Sequence, residues 1–73
     1  MLRISTLRAL TAAAYQLGAE GRLYDPSDDD VLIYAAEAIG DLTTDLSRLS
    51  PDSRRTIVDA YDRTRRRYFP GAV

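Results

Sequence analysis

Apolar positions recur with a helical period along almost the whole chain. No stretch alternates with the period of two that a half-buried strand requires. Leu7, Leu10, Ala14 and Leu17 fall at steps of three and four, with Ile4 one turn earlier, which puts them on one face of a helix over about residues 5–19. Ser5 stands where an N-cap hydroxyl accepts an orphan backbone N–H, and Gly18 and Gly21 offer left-handed stops at the other end.

The longest series is Leu32, Ala35, Ile39, Leu42, Leu46 and Leu49, a heptad-like seam that predicts one continuous helix over about 27–49. Two caps compete for its start. Asp25 precedes a proline suited to a first helical position, and Ser27 with Asp30 forms a capping-box pair one turn later. Gly40 falls inside this expected helix, at a cost near 1 kcal/mol relative to alanine. Ser50-Pro51-Asp52 then opens a third helix over about 51–68. Ile57, Val58, Tyr61, Thr64 and Tyr68 face inward along it, and Pro70-Gly71 ends it. The pattern predicts a single all-α domain over 1–73, either a small antiparallel three-helix bundle or a helical hairpin plus a third helix.

A chain of 73 residues buries only about 60% of the surface its unfolded form exposes, so its stability margin is thin. Without cysteine no disulfide widens that margin, which leaves a protein partner or a homo-oligomer as the usual supplement. An apolar fraction of 45% and a charged fraction of 29% are globular values and argue against disorder. The longest apolar run, Val31 to Ala36, is far short of the roughly 18–20 residues that cross a bilayer, so the expectation is a cytoplasmic protein with no membrane partner. Met1 to Gln16 holds Arg3, Arg8, Ser5, Thr6 and Thr11 but no acid, as transit peptides do. Its core periodicity favours a structural first helix instead.

The side-chain inventory argues against catalysis. Histidine, cysteine and lysine are all absent, which removes the commonest general base, the strongest nucleophile and Schiff-base chemistry. The glycines are scattered singly, so no phosphate-cradling loop forms, and no cofactor is expected. Asp25-Pro26-Ser27-Asp28-Asp29-Asp30 resembles a calcium loop only at its first positions. Asp30 stands where the turn demands glycine and Ala36 where a bidentate glutamate is required, so no metal site is expected. Acids there suit the positive end of a helix.

What remains is surface. The net charge of −1 conceals a segregation along the chain: residues 1–19 carry +2, residues 20–45 carry −7 and residues 46–73 carry +4. Opposite the seam of the second helix lie Asp30, Tyr34, Glu37, Asp41 and Asp45, with Ile33 beside them. Aromatic and aliphatic side chains ringed by charge have the composition of an interface centre, here suited to a basic partner. The C-terminal helix carries Arg54 and Arg55 and then Arg63, Arg65, Arg66 and Arg67, followed by Tyr68 and Phe69. Asp59 lies four residues from both Arg55 and Arg63, and Asp62 four before Arg66, so Arg65 and Arg67 have no in-helix partner. A helix-turn-helix register on Ala36, Gly40, Leu46 and Leu49 fails because Asp41 takes the apolar position of its turn.

The expectation is a non-enzymatic protein-binding module that docks Asp30, Ile33, Tyr34, Glu37, Asp41 and Asp45 on a basic protein surface. A small phage or mobile-element inhibitor of a host nucleic-acid machine, anti-CRISPR-like in size and charge, has this composition. One alternative is an assembly subunit that self-associates through the seam of the second helix. Another is nucleic-acid binding through Arg63, Arg65, Arg66 and Arg67.

Overall fold

A computed structural model of the chain describes residues 3–40 and 45–71. The described residues form three helices, α1 (Ile4–Glu20), α2 (Asp28–Ala38) and α3 (Pro51–Tyr68), with a single 3-10 turn at Leu46–Arg48 between the last two. They pack as a small all-α bundle.

Each helix begins and ends for a local reason. α2 takes the later of its two candidate caps: the Asp30 N–H donates to Ser27 Oγ at 3.2 Å and the Ser27 N–H donates to Asp30 Oδ2 at 3.1 Å. Asp28, Asp29 and Asp30 then lie in its first turn, where the helix dipole favours negative charge. α3 opens on Ser50, whose hydroxyl accepts from the Ser53 N–H at 3.1 Å, with Pro51 in the first turn. α1 is capped by Arg3 backbone rather than by Ser5, and no side chain closes that end. It stops at Gly21, in the left-handed region at φ 65°.

Two glycines exchange the roles their sequence positions imply. Gly18, expected as a stop, lies inside α1 and is buried. Gly40, expected inside a helix, follows α2 at φ 72° with open space where a Cβ would point. The second helix therefore ends at Ala38 and does not run to 49. Ile39 caps it by donating its N–H to Ala35 O, and the Gly40 N–H turns back to Glu37 O at 3.0 Å. Past this stop the chain is redirected. Asp45 caps the 3-10 turn by accepting the Ser47 N–H at 3.1 Å, and Leu46 and Leu49 pack partly against the core from that turn rather than from a helix. Leu42, the remaining seam residue, lies outside the described residues.

The core joins Leu10, Ala13 and Ala14 of α1 to Val31, Leu32, Ala35 and Ala36 of α2 and to Ile57, Ala60 and Tyr61 of α3. Of the seam residues, Leu32 and Ala35 are buried in this core and Ile39 is partly buried against it. Ile4 and Tyr68, assigned inward from periodicity, are exposed instead, each at the end of its helix.

α1 and α3 make the most extensive contact in the molecule. A Cβ on Gly18 would lie 2.6 Å from Tyr61 O, 2.9 Å from Thr64 Cβ and 3.0 Å from Arg65 N, so the helices touch backbone to backbone there. Further along, Gly21 faces the ring of Phe69. Rising numbers on α1 thus match rising numbers on α3, and the two run in the same general direction. Thr64 sits in this contact with its hydroxyl donating to its own backbone at Ala60 O, 2.7 Å away, so no polar group is stranded.

The glycines give two expectations with different causes. Gly18→Ala should destabilise by about 2 kcal/mol in urea denaturation, because overpacking against backbone outweighs the gain in helix propensity. Gly40→Ala should also destabilise, by about 1 kcal/mol, since alanine is strained in the left-handed region. In a helix continuing through residue 40 the same change would stabilise by about as much, so the sign of the measured change decides between the two.

Candidate functional site

The exposed side of α2 is built from residues at helical spacing. Asp30, Ile33, Tyr34 and Glu37 stand three or four apart, on the face opposite buried Leu32, Ala35 and Ala36. Ile33 is 47% exposed and Tyr34 45%, so both are half out of the bundle while remaining anchored at their bases.

The preceding connection adds a residue that periodicity did not mark. Tyr24 is 97% exposed, and together with Arg22, Asp30 and Tyr34 it borders a hollow of about 300 Å³. A large aromatic side chain held almost wholly in water gains nothing from packing. Its only sequence signal is an aromatic residue in an otherwise polar turn. Asp25 beside it adopts φ 43°, a left-handed conformation that Asp tolerates better than most residues.

The acids of the expected stripe separate into different tasks. Asp30 is at the face but spends one carboxylate oxygen on the capping box. Glu37 is exposed, and among the described residues it makes no ion pair. Asp45 is not on α2 at all. It caps the 3-10 turn, pairs with Arg48 at 3.3 Å, and accepts from the Ser47 hydroxyl and backbone, which hold its carboxyl below the ordinary range. The reason is that α2 ends at Ala38, which stops the stripe two turns early. Asp41 lies outside the described residues. Asp29 reaches across to α3 and pairs with Arg54, tying the first turns of the two helices together.

The arginine cluster also divides. Arg65 was expected to be unpaired, but its guanidinium donates to Leu23 O at 2.9 Å and to the Tyr61 hydroxyl at 3.2 Å, clasping the connection that follows α1. These bonds tie α3 to the connection that follows α1. Arg63 and Arg67 line the other side of α3, and Arg66 is exposed near Asp62. Burial, with repulsion from Asp28 and Asp59, holds the Asp62 carboxyl above its ordinary value despite the attraction of Arg66.

Among the described residues no group of three or more acids gathers in a way that could hold a metal. No helix there is long and apolar enough to cross a membrane. Comparison with protein-family models, curated proteins and solved structures finds no significant match to this chain.

The contrast within the cluster is measurable. Arg65→Ala should cost about 1–2 kcal/mol by thermal or chemical denaturation, the range for a hydrogen-bonding charged group that is partly screened. Arg66→Ala, at an exposed position, should stay within about 0.5 kcal/mol.

Proposed function

We propose that the chain is a non-enzymatic protein-binding module whose docking surface is the outer face of α2 with the turn before it. The observation that carries this reading is the group Tyr24, Ile33 and Tyr34. All three are large and exposed; Tyr24 and Tyr34 border one hollow, and Ile33 adjoins Tyr34 on the outer face of α2. Interface centres are enriched in such aromatic anchors, which carry most of the binding energy once the contacts around them exclude water.

The charge of the rim selects the partner. Asp25, Asp30 and Glu37 surround the anchors, while Arg22 is occupied by Glu20, which its guanidinium reaches at 2.5 Å. The partner surface is therefore basic with an apolar recess. Proteins that handle nucleic acid present such surfaces, so an inhibitor acting on one of them, as a phage or mobile element would encode, is the role this chemistry fits best.

The reading is tested by capture. A tagged chain incubated with nuclease-treated lysate of its source or host should retain one stoichiometric protein. Tyr34→Ala with Glu37→Arg should weaken that interaction by at least about thirtyfold, the scale of a hot-spot loss, while helical circular dichroism is unchanged. Capture that survives both substitutions would remove the α2 face as the docking surface.

A further inference from the structure

A second surface lies on the side of the α1–α3 pair away from α2. The outward faces of the two helices border a groove of about 550 Å³, to which α2 contributes no side chain. Ala12 and Ala19 keep the α1 wall low, and Tyr15 and Tyr68 stand within it, 48% and 59% exposed. Arg63 and Arg67, one turn apart on α3, supply its charge, and no carboxylate lines it. Neither arginine makes an ion pair among the described residues. Arg8 lies on the same stripe of α1, one turn before Ala12, and extends the basic track beyond the groove.

The fold distinguishes these residues from their structural neighbours. Phe69 packs over Gly21 and Arg65 clasps Leu23, so each helps hold the bundle together. Tyr68 and Arg67, adjacent to them in sequence, have no such employment. Two aromatic faces beside two unpaired guanidiniums match a ligand that alternates flat rings with anionic linkers. Bases stack on tyrosine whatever their identity, and phosphates take the arginines. An acidic peptide would satisfy the guanidiniums alone and leave both tyrosine faces unused.

We propose that this groove binds single-stranded nucleic acid, with bases stacked on Tyr15 and Tyr68 and backbone phosphates held by Arg63 and Arg67. Two neutralised phosphates on a single strand predict a slope of about −1.4 in log affinity against log salt. The surface shares no residue with the α2 face, so the two readings stand or fall separately.

The test uses the full chain and fluorescein-labelled dodecamers of thymidylate and of deoxyadenylate, with a duplex of the same length, followed by fluorescence anisotropy between 20 and 200 mM salt. Both single strands should bind more tightly than the duplex. Tyr15→Ala and Tyr68→Ala should each lower affinity by about tenfold with the salt slope retained, whereas Tyr→Phe at both positions should keep it. Arg63→Gln with Arg67→Gln should flatten the slope, and Tyr34→Ala with Glu37→Arg should change nothing. Absence of single-strand binding, equal binding of the duplex, indifference to both tyrosine truncations, or displacement of the strand by an oligoglutamate of equal charge would each overturn the proposal.

Discussion

The contact on which the rest of the structure depends is the approach of α1 to α3 at Gly18. A Cβ there would penetrate backbone atoms rather than the tip of a flexible side chain, so the separation of the two helices is set by glycine and not by packing that could adjust. Ala14 lies one turn before it, and on the facing helix Ala60 and Thr64 are also small and buried. The close approach has two consequences. It makes the pair stiff enough for an eleven-residue α2 to complete the core from one side. On the other side it leaves a shallow valley, because the outward residues Ala12 and Ala19 have little side chain to fill it.

Helical periodicity made two of the three helices legible to within about a residue at each end, and the all-α class with them. It failed at the second helix for a reason visible in the seam itself. Leu46 and Leu49 do pack partly against the core, as a continued heptad requires, but from a 3-10 turn and its cap rather than from a continued helix. Period alone cannot distinguish a helix that continues from a chain that leaves and returns. Gly40 was the available clue. A glycine inside a helix needs a close neighbour to justify it, and Gly40 has none, whereas Gly18 has backbone against it. Which glycine is crowded depends on tertiary packing, and sequence spacing does not report it.

The surfaces were legible in proportion to how local they are. Ile33 and Tyr34 are exposed because they stand opposite the seam within a single helix, and helical geometry suffices for that. Asp45 was lost from the stripe with the helix that carried it. The bond of Arg65 to Leu23 O was not legible, because that acceptor is 42 residues away and belongs to backbone, a partner that charge counting along the chain does not consider. Tyr15 escaped notice because its significance depends on Tyr68 and the arginines facing it across a different helix.

The segregation of charge along the chain has a spatial meaning once the helices are placed. Asp30 and Glu37 of the acidic segment are exposed on the outer face of α2, and Arg63 and Arg67 of the basic C-terminal segment line the groove on the far side of the α1–α3 pair. A net charge of −1 therefore describes a molecule with two poles rather than a nearly neutral one. The short dimensions of the bundle are 22 and 19 Å, about twice the screening length of roughly 10 Å at 0.1 M salt. At that ionic strength each pole is felt by an approaching partner almost alone, and the opposite charge neither helps nor hinders. At about 0.01 M salt the screening length of roughly 30 Å exceeds the whole cross-section, so each charged face acts over a longer range and steering toward it strengthens, while the opposite charge turns an approaching ion toward the complementary side. Salt therefore shortens the range over which the two sides differ electrostatically, and the difference is felt furthest from the surface when salt is low.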